Sequence, residues 1–99
     1  MMADKELADE LLQVLGWHPD IRKQPGYRGD GQFVTDARVA IAILEKVADE
    51  GFLVSVYSAY TGEEYSCTVD HIENVMRSYS ASNASLSRAI NEAGAETLR

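Results

Sequence analysis

The chain concentrates aromatic and basic side chains in one polar stretch, residues 16–34, which reads GWHPDIRKQPGYRGDGQFV. Aromatic rings offer flat apolar surfaces, and guanidinium or ammonium groups bind anionic groups. The stretch therefore predicts a pocket for a small molecule or a nucleotide. Its predicted ligand-binding residues are Trp17, Arg22, Lys23, Tyr27 and Arg28. Connections of this length are often functional, and we expect at least one of the aromatic residues Trp17, Tyr27 and Phe33 to pin it to the domain.

The glycines of this stretch, in Gly26-Tyr27-Arg28-Gly29-Asp30-Gly31, precede a predicted helix, as phosphate-binding loops do. A dinucleotide-binding fingerprint requires a strand directly before the glycines and a parallel βαβ unit, and the sequence predicts neither. We therefore interpret the run as a flexible turn.

A second set of residues with chemical potential lies on and beside the predicted strands. Tyrosine suits positions that are apolar on one side and wet on the other, as at protein interfaces. The predicted partner-binding residues are Tyr57, Tyr60, Glu63, Glu64 and Tyr65. If the first helix leaves one sheet face open, Leu53 and Tyr57 form an exposed patch there; if it covers that face, they are core.

Catalytic and metal-binding groups are sparse. Cys67 and His71 share a predicted strand face but lie roughly 13 Å apart at the rise of a strand, too far to grip one ion or form a nucleophile pair. The carboxylate pairs Asp49/Glu50 and Glu63/Glu64 adjoin turn glycines, where solvated charges are expected. We expect no enzyme activity, no metal and no cofactor.

Composition limits the classes of partner. With 99 residues and 45% apolar residues, the chain predicts a single domain over residues 1–99. Its net charge of −7 argues against nucleic acid and anionic membranes, and the last helix offers Arg88 alone where an RNA-duplex binder needs a lysine cluster. The lone Cys67 and the absence of a signal-like amino terminus predict a cytoplasmic location.

Hydrophobic periodicity predicts the elements that position these residues. A first helix runs from Asp4 to Leu15, and Gly16 ends it. A second helix has Thr35 as its N-cap and ends at Gly51. The last helix begins near Ser82 or Asn83, carries a small stripe that implies close approach to the sheet, and stops at Gly94.

Between the second and last helices the apolar period changes to two, which is typical of strands. The first predicted strand, Phe52–Ala59, is apolar on both faces, as strands covered on both sides are. After a turn at Tyr60–Glu63, a second strand contains Tyr65, Cys67 and Val69. A turn at Glu73-Asn74 leads to a third strand, Val75–Ala81, although HIENVMRSY also fits a short helix.

These elements predict an α+β fold, a three-stranded antiparallel sheet with three helices in the order α-α-β-β-β-α. The helices pack on one face of the sheet or on both.

The segments ELLQVLGW, FVTDARVAIAILEKV and SASNASLSRAINEA resemble the small bacteriophage proteins of the phage ABA sandwich domain family. The matching residues are Thr35, Asp36, Ala40, Ala89, Ile90 and Ala93. The resemblance implies a fold and a phage origin. It assigns no activity and no site residues.

From this resemblance and the acidic surface, we expect a non-enzymatic phage accessory protein in the host cytoplasm that binds a host or defence protein. The alternative is a small-molecule or nucleotide-binding protein, a sponge for a signal, that uses the loop at 17–33. A homodimer or larger structural assembly is a third interpretation.

Overall fold

The computed structural model describes residues 2–58, 62–74 and 76–99. The α+β fold with a three-stranded antiparallel sheet and the predicted order of its main elements is confirmed, and two short helices occur in addition in the segment 16–34 that was predicted as a loop. The helices are α1 (Asp4–Leu15), a 3-10 helix (Pro19–Lys23), the single turn α2 (Asp30–Phe33), α3 (Ala37–Asp49) and α4 (Leu86–Leu98). The strands are β1 (Phe52–Ser58), β2 (Tyr65–His71) and β3 (Ser78–Asn83).

The predicted bounds of α1 are confirmed. Leu7 and Leu11, one helical turn apart, are fully buried, and Asp4 lies in the first turn where a carboxylate interacts favourably with the helix dipole. Gly16 ends the helix with φ 69°, a left-handed conformation that glycine adopts without strain.

The start of α3 differs by one residue from the prediction. Asp36, rather than Thr35, is the N-cap, because its carboxylate accepts the backbone N–H of Arg38 at 2.7 Å. Thr35 instead closes the preceding turn, where its Oγ1 donates to the carbonyl of Gly31 at 3.0 Å. Both residue types are good N-caps, but the Thr35 hydroxyl is already bonded to the preceding turn, so Asp36 caps α3.

The sheet has the order β1-β2-β3 with antiparallel pairing throughout. The register sets Phe52 opposite His71 and Cys67 opposite both Val56 and Ala81. The end of the predicted first strand at Ala59, the first two residues of its turn, Tyr60 and Thr61, and the predicted start of the third strand at Val75 lie outside the described residues.

The third strand begins at Ser78, later than predicted, because the turn before it is long. The ring of His71 accepts the backbone N–H groups of Glu73 and Asn74 through Nδ1, at 3.2 and 3.1 Å. The carbonyl of Asn74 accepts from the N–H of Arg77. These bonds satisfy backbone groups that strand pairing would otherwise use.

The predicted bounds of α4 are wrong at both ends. Ser82 and Asn83 belong to β3, and Ser85 is the N-cap, accepting the N–H of Arg88 at 3.2 Å. Gly94 does not stop the helix but is buried within it. A Cβ there would overlap the Cγ2 methyl of Ile43, so the glycine lets α4 approach α3 closely.

The helices cover one face of the sheet. The covered face contributes Phe52, Cys67 and Val69 to a core formed with α1, α3 and α4. The predicted two-sided cover of β1 is wrong, because Leu53 and Tyr57 on the other face are 61% and 62% exposed. The predicted alternative of an open sheet face is therefore the observed one.

A buried arginine connects the two ends of the chain. Arg88 of α4 is 8% exposed and donates to the carboxylates of Asp4 and Glu92 and to the carbonyl of Met2. At the other end of α4, Arg99 pairs with Glu10 of α1 at 2.8 Å. Arg88, the one basic residue predicted in the last helix, therefore serves the packing of α1.

Candidate functional site: an aromatic cleft

The segment 16–34 is folded against the body of the domain rather than extended. After Gly16 turns the chain, the N–H of Trp17 donates to the carbonyl of Leu12 at 2.9 Å. His18 then caps the 3-10 helix through Nδ1, which accepts the N–H of Asp20 at 3.1 Å. Each step uses a local hydrogen bond, so the segment has a defined path.

Three aromatic rings from this segment form one cluster. Phe33 lies at its centre and is 8% exposed. The ring centroid of Trp17 is 6.3 Å away at 70°, and that of Tyr27 is 5.8 Å away at 47°. Such edge and tilted contacts are favourable for aromatic pairs. The expectation that an aromatic residue pins the segment to the core is confirmed by Phe33.

A half-buried polar network holds Tyr27 in this cluster. The carboxylate of Asp30 accepts the Tyr27 hydroxyl and the Nε of Arg22, the latter at 3.1 Å. Arg22 also donates to Asp9 of α1 and to the carbonyl of Lys5. Burial, together with the bond to Asp30, raises the pKa of Tyr27 above its ordinary value.

The aromatic cluster forms one side of an open cleft of about 570 Å³. Its floor is apolar, with Ile21 and Val39 beside the rings, and two glutamine side chains, Gln24 and Gln32, add amide groups. Cavities of this size hold typical small-molecule ligands. The charged residues of the lining are Arg28, Asp36 and Arg38.

The charged residues of the cleft differ in how fully they are engaged. Arg38 donates to the Asp36 carboxylate through Nε and Nη2, at 3.3 and 3.1 Å, and these bonds lower the pKa of Asp36. Asp36 is also occupied as the N-cap of α3. Within the described residues Arg28 makes no salt bridge and no side-chain hydrogen bond, and it is exposed. Its guanidinium is therefore available to a ligand.

The predicted ligand-binding set divides in two. Trp17, Tyr27 and Arg28 line the cleft together. Arg22 is absent from the lining because Asp9 and Asp30 hold it, and these contacts raise its pKa further. Lys23 lies on the outer side of the 3-10 helix, 83% exposed and 3.5 Å from Asp20.

The sequence reasoning missed most of the other lining residues, of which Phe33 and Arg38 bear most on the function proposed below. Phe33 was expected only as an anchor, and Arg38 lies beyond the loop, in the first turn of α3. Arg38 reaches the cleft because Asp36 caps α3 and its carboxylate accepts from the Arg38 guanidinium.

The predicted partner-binding set is not brought together. Tyr57 lies on the open sheet face, whereas Tyr65, opposite Ser58, lies on the covered face and packs against the core. Glu63 and Glu64 are exposed before β2, and Tyr60 lies outside the described residues. The alternation of strand faces separates the tyrosines.

The described residues contain no group of three or more His, Cys, Asp or Glu side chains placed to hold a metal ion. Cys67 is fully buried, and burial raises the pKa of its thiol to about 11. Of the helices described here, none combines the length and the apolar character needed to cross a bilayer.

Against known proteins, the sequence matches no family model and no curated protein, and the structure matches no solved structure. The function proposed below is therefore argued from the residues that line the cleft.

Proposed function

We propose that this protein binds a small organic ligand in the aromatic cleft and acts by holding it. The observation that carries this proposal is the three-ring cluster of Trp17, Tyr27 and Phe33 beside a guanidinium, that of Arg28, with no partner among the described residues. Aromatic surface with a few convergent polar groups is characteristic of ligand sites.

The state of the polar groups favours binding over turnover. The Tyr27 hydroxyl donates to Asp30, and the Asp36 carboxylate is held by Arg38 and by the N–H of Arg38. A general acid or base needs a proton that it can exchange with a substrate, and these groups are committed to structural bonds. We therefore propose a binding protein rather than an enzyme.

The resemblance to the phage ABA sandwich domain family gives this proposal a setting. In the cytoplasm of an infected bacterium, a small acidic protein that binds a signalling molecule would lower its free concentration. Such a sponge needs affinity and abundance but no catalysis. The binding site supports this role, with the ligand to be found by experiment.

Trp17 makes the test direct, because it is the only tryptophan of the chain and it lines the cleft. We expect the indole N–H resonance of Trp17 to shift when metabolites of a mixed small-molecule library bind. In Phe33→Ala the ring cluster loses its centre, and the same compounds should bind at least tenfold more weakly. Tyr57→Ala, on the open sheet face, is the matched control and should bind normally.

If the binding compounds shift resonances of the sheet and leave the Trp17 indole unchanged, the cleft is not the site. The Phe33 variant must first be shown to fold, by its dispersed amide spectrum. Because Phe33 also belongs to the core, Trp17→Phe provides a milder second variant, in which binding is followed through the amide resonances of Gly26 and Gly29.

A second candidate function is contact with a protein partner, supported by the exposure of Leu53 and Tyr57 on the open sheet face. The acidic residues Glu63 and Glu64 precede β2, so a basic partner surface fits best. The double variant Leu53→Ser, Tyr57→Ser should lose such a partner and keep ligand binding in the cleft. Arg28→Ala should do the reverse.

A further inference from the structure

We infer that the ligand of the cleft is a planar aromatic anion, with its ring on the three-ring cluster and its anionic group on Arg28. This inference rests on the proposed function and names the chemical class of the ligand. A nucleoside monophosphate, with a planar base and an anionic phosphate, is a common metabolite that combines these features and serves as the probe below.

The first step is the state of the arginines. Four of the six pair with carboxylates among the described residues, namely Arg22, Arg38, Arg88 and Arg99. The guanidinium of Arg77 lies 5.0 Å from the ring centroid of Phe52. In the described part of the chain, Arg28 alone has neither kind of partner, and it lies at the cleft. In an acidic protein an unpaired guanidinium beside aromatic rings suits an anion from outside.

The second step is the charge of the cleft. Arg28 and Arg38 contribute two positive charges to the lining, and the ionised Asp36 contributes one negative charge. Arg38 and the N–H of Arg38 already offset the Asp36 carboxylate. The lining is therefore net positive on a protein with a net charge of −7, and it concentrates anions where the rest of the surface repels them.

The third step is a comparison with a second cleft in the described part of the chain. That cleft, of about 500 Å³ between α1, β3 and α4, contains three acids, Glu6, Glu92 and Glu96, and no aromatic ring. Its size is similar, but it has no aromatic stacking surface, and because the three acids outnumber Arg99 its lining is net negative. Of these two clefts, the aromatic cleft is the one that joins aromatic surface with net positive charge, the two features that a planar aromatic anion requires.

Size and polarity narrow the class. A cleft of about 570 Å³ accommodates a molecule of mononucleotide size. Gln24 and Gln32 in the lining present amide donors and acceptors, which suit the polar edge of a heterocycle better than a plain hydrocarbon ring.

The experiment compares adenosine, adenosine 5′-monophosphate and inorganic phosphate, each titrated into the full chain while the Trp17 indole resonance is followed. We expect the monophosphate to bind at least about tenfold more tightly than adenosine, because a charge-assisted bond to Arg28 adds to the same stacking. Phosphate alone should bind weakly. The excess affinity should shrink in high salt.

Arg28→Ala should reduce the affinity for the monophosphate to that for adenosine and leave adenosine binding unchanged. Arg28→Lys should retain part of the excess, since an ammonium offers charge without the guanidinium fork. The matched control is Arg77→Ala, which removes another arginine without a carboxylate partner, on the turn between β2 and β3. It should bind both probes normally.

The outcomes separate the two proposals. Equal binding of adenosine and its monophosphate, insensitive to Arg28→Ala, overturns the anionic class and leaves ligand binding in the cleft intact. If neither these probes nor the library shifts the Trp17 resonance, both the inference and the proposed function fail. A monophosphate that binds with an unchanged affinity in Arg28→Ala also overturns the role of Arg28.

Discussion

The two faces of the sheet are made by the same three strands, but only one of them is covered by helices. One face, with Phe52, Cys67 and Val69, is buried under α3 and α4. The other, with Leu53 and Tyr57 beside a field of serine and threonine, is uncovered. Both faces of β1 are apolar in sequence, so hydrophobicity does not distinguish them. The two faces differ because helices pack against one of them and leave the other uncovered.

This difference teaches that the pattern of a strand specifies alternation but not the number of layers. Ser66, Thr68 and Asp70 of β2 share the open face with Leu53 and Tyr57, and Ser78, Ser80 and Ser82 continue it on β3. The neighbouring strands therefore identify the open face, although β1 alone does not.

The largest effect is expected in thiol reactivity. Cys67 is fully buried with a pKa of about 11, so at pH 8 it should react with a thiol reagent only through unfolding. A cysteine placed on the open face, as Ser78→Cys in a Cys67→Ala background, should react faster by a factor on the order of 10³. Labelling followed by absorbance gives both rates.

The same thiol gives a pH dependence. Because its folded pKa lies above its ordinary value of 9.0, the unfolded chain loses this proton first as the pH rises. The Cys67 contribution to stability is therefore complete below about pH 9 and is lost between about pH 9 and 11. In Cys67→Ala, urea unfolding should show a smaller loss over this window. In the labelling experiment above, comparable rates at Cys67 and at the cysteine of Ser78→Cys would contradict the burial of Cys67.

The second largest effect is expected from adjacent residues of β2. Val69→Ala should lower the free energy of unfolding by about 2 kcal/mol, because it removes two buried methyl groups and leaves a cavity. Thr68→Ala, one residue away on the open face, should change it by less than about 0.5 kcal/mol. Urea denaturation measures both, and similar losses would mean that both faces are covered in solution.

A third test addresses how closely the helix layer is packed. Gly94→Ala should lower the free energy of unfolding by about 1 to 2 kcal/mol, because the new methyl group overlaps Ile43. In an Ile43→Ala background the same change should be neutral or stabilising, since alanine favours a helix by about 1 kcal/mol over glycine. Additive losses in the double variant would show that Ile43 is not the obstacle.

The smallest effect is expected on the open face itself. Leu53→Ser should change the free energy of unfolding by less than about 0.5 kcal/mol, because the side chain is already 61% exposed. Phe52→Ser, the neighbouring change on the covered face, should lower the melting temperature severely. A large loss in Leu53→Ser would indicate that another molecule, such as a second copy, covers this face.

Much of the fold could be predicted from local signals. The stripe of α1 and its end at Gly16 are local, and so is the change of period at Phe52. The role of Gly94 could not be predicted, because a glycine at a helix crossing and one at a helix end look alike without the partner residue Ile43. Asn83 was misplaced for a similar reason, since its cap-like side chain accepts the N–H of Ser85 just before the helix.

The sequence predicted which types of residue form the candidate site, but it did not predict which individual residues line it. The rings and cations of residues 17–28 are visible in the sequence. The choice between Arg22 and Arg28 depends on Asp9, an acid of α1 that folding brings to Arg22. The position of Arg38 in the cleft lining depends on where α3 begins. Long-range pairing thus decides which charges are free.

The hydrogen bonds between Arg88 and the amino-terminal residues have a consequence for the order of folding. Arg88 and Asp4 are 84 positions apart in the sequence, and Arg99 and Glu10 are 89 positions apart. On the ribosome α1 is made before α4, one of the helices against which it packs. Leu7 and Leu11 therefore remain without their final neighbours until α4 emerges. Closing so large a loop carries an entropic cost that the sheet and α3 can help to offset by forming beforehand.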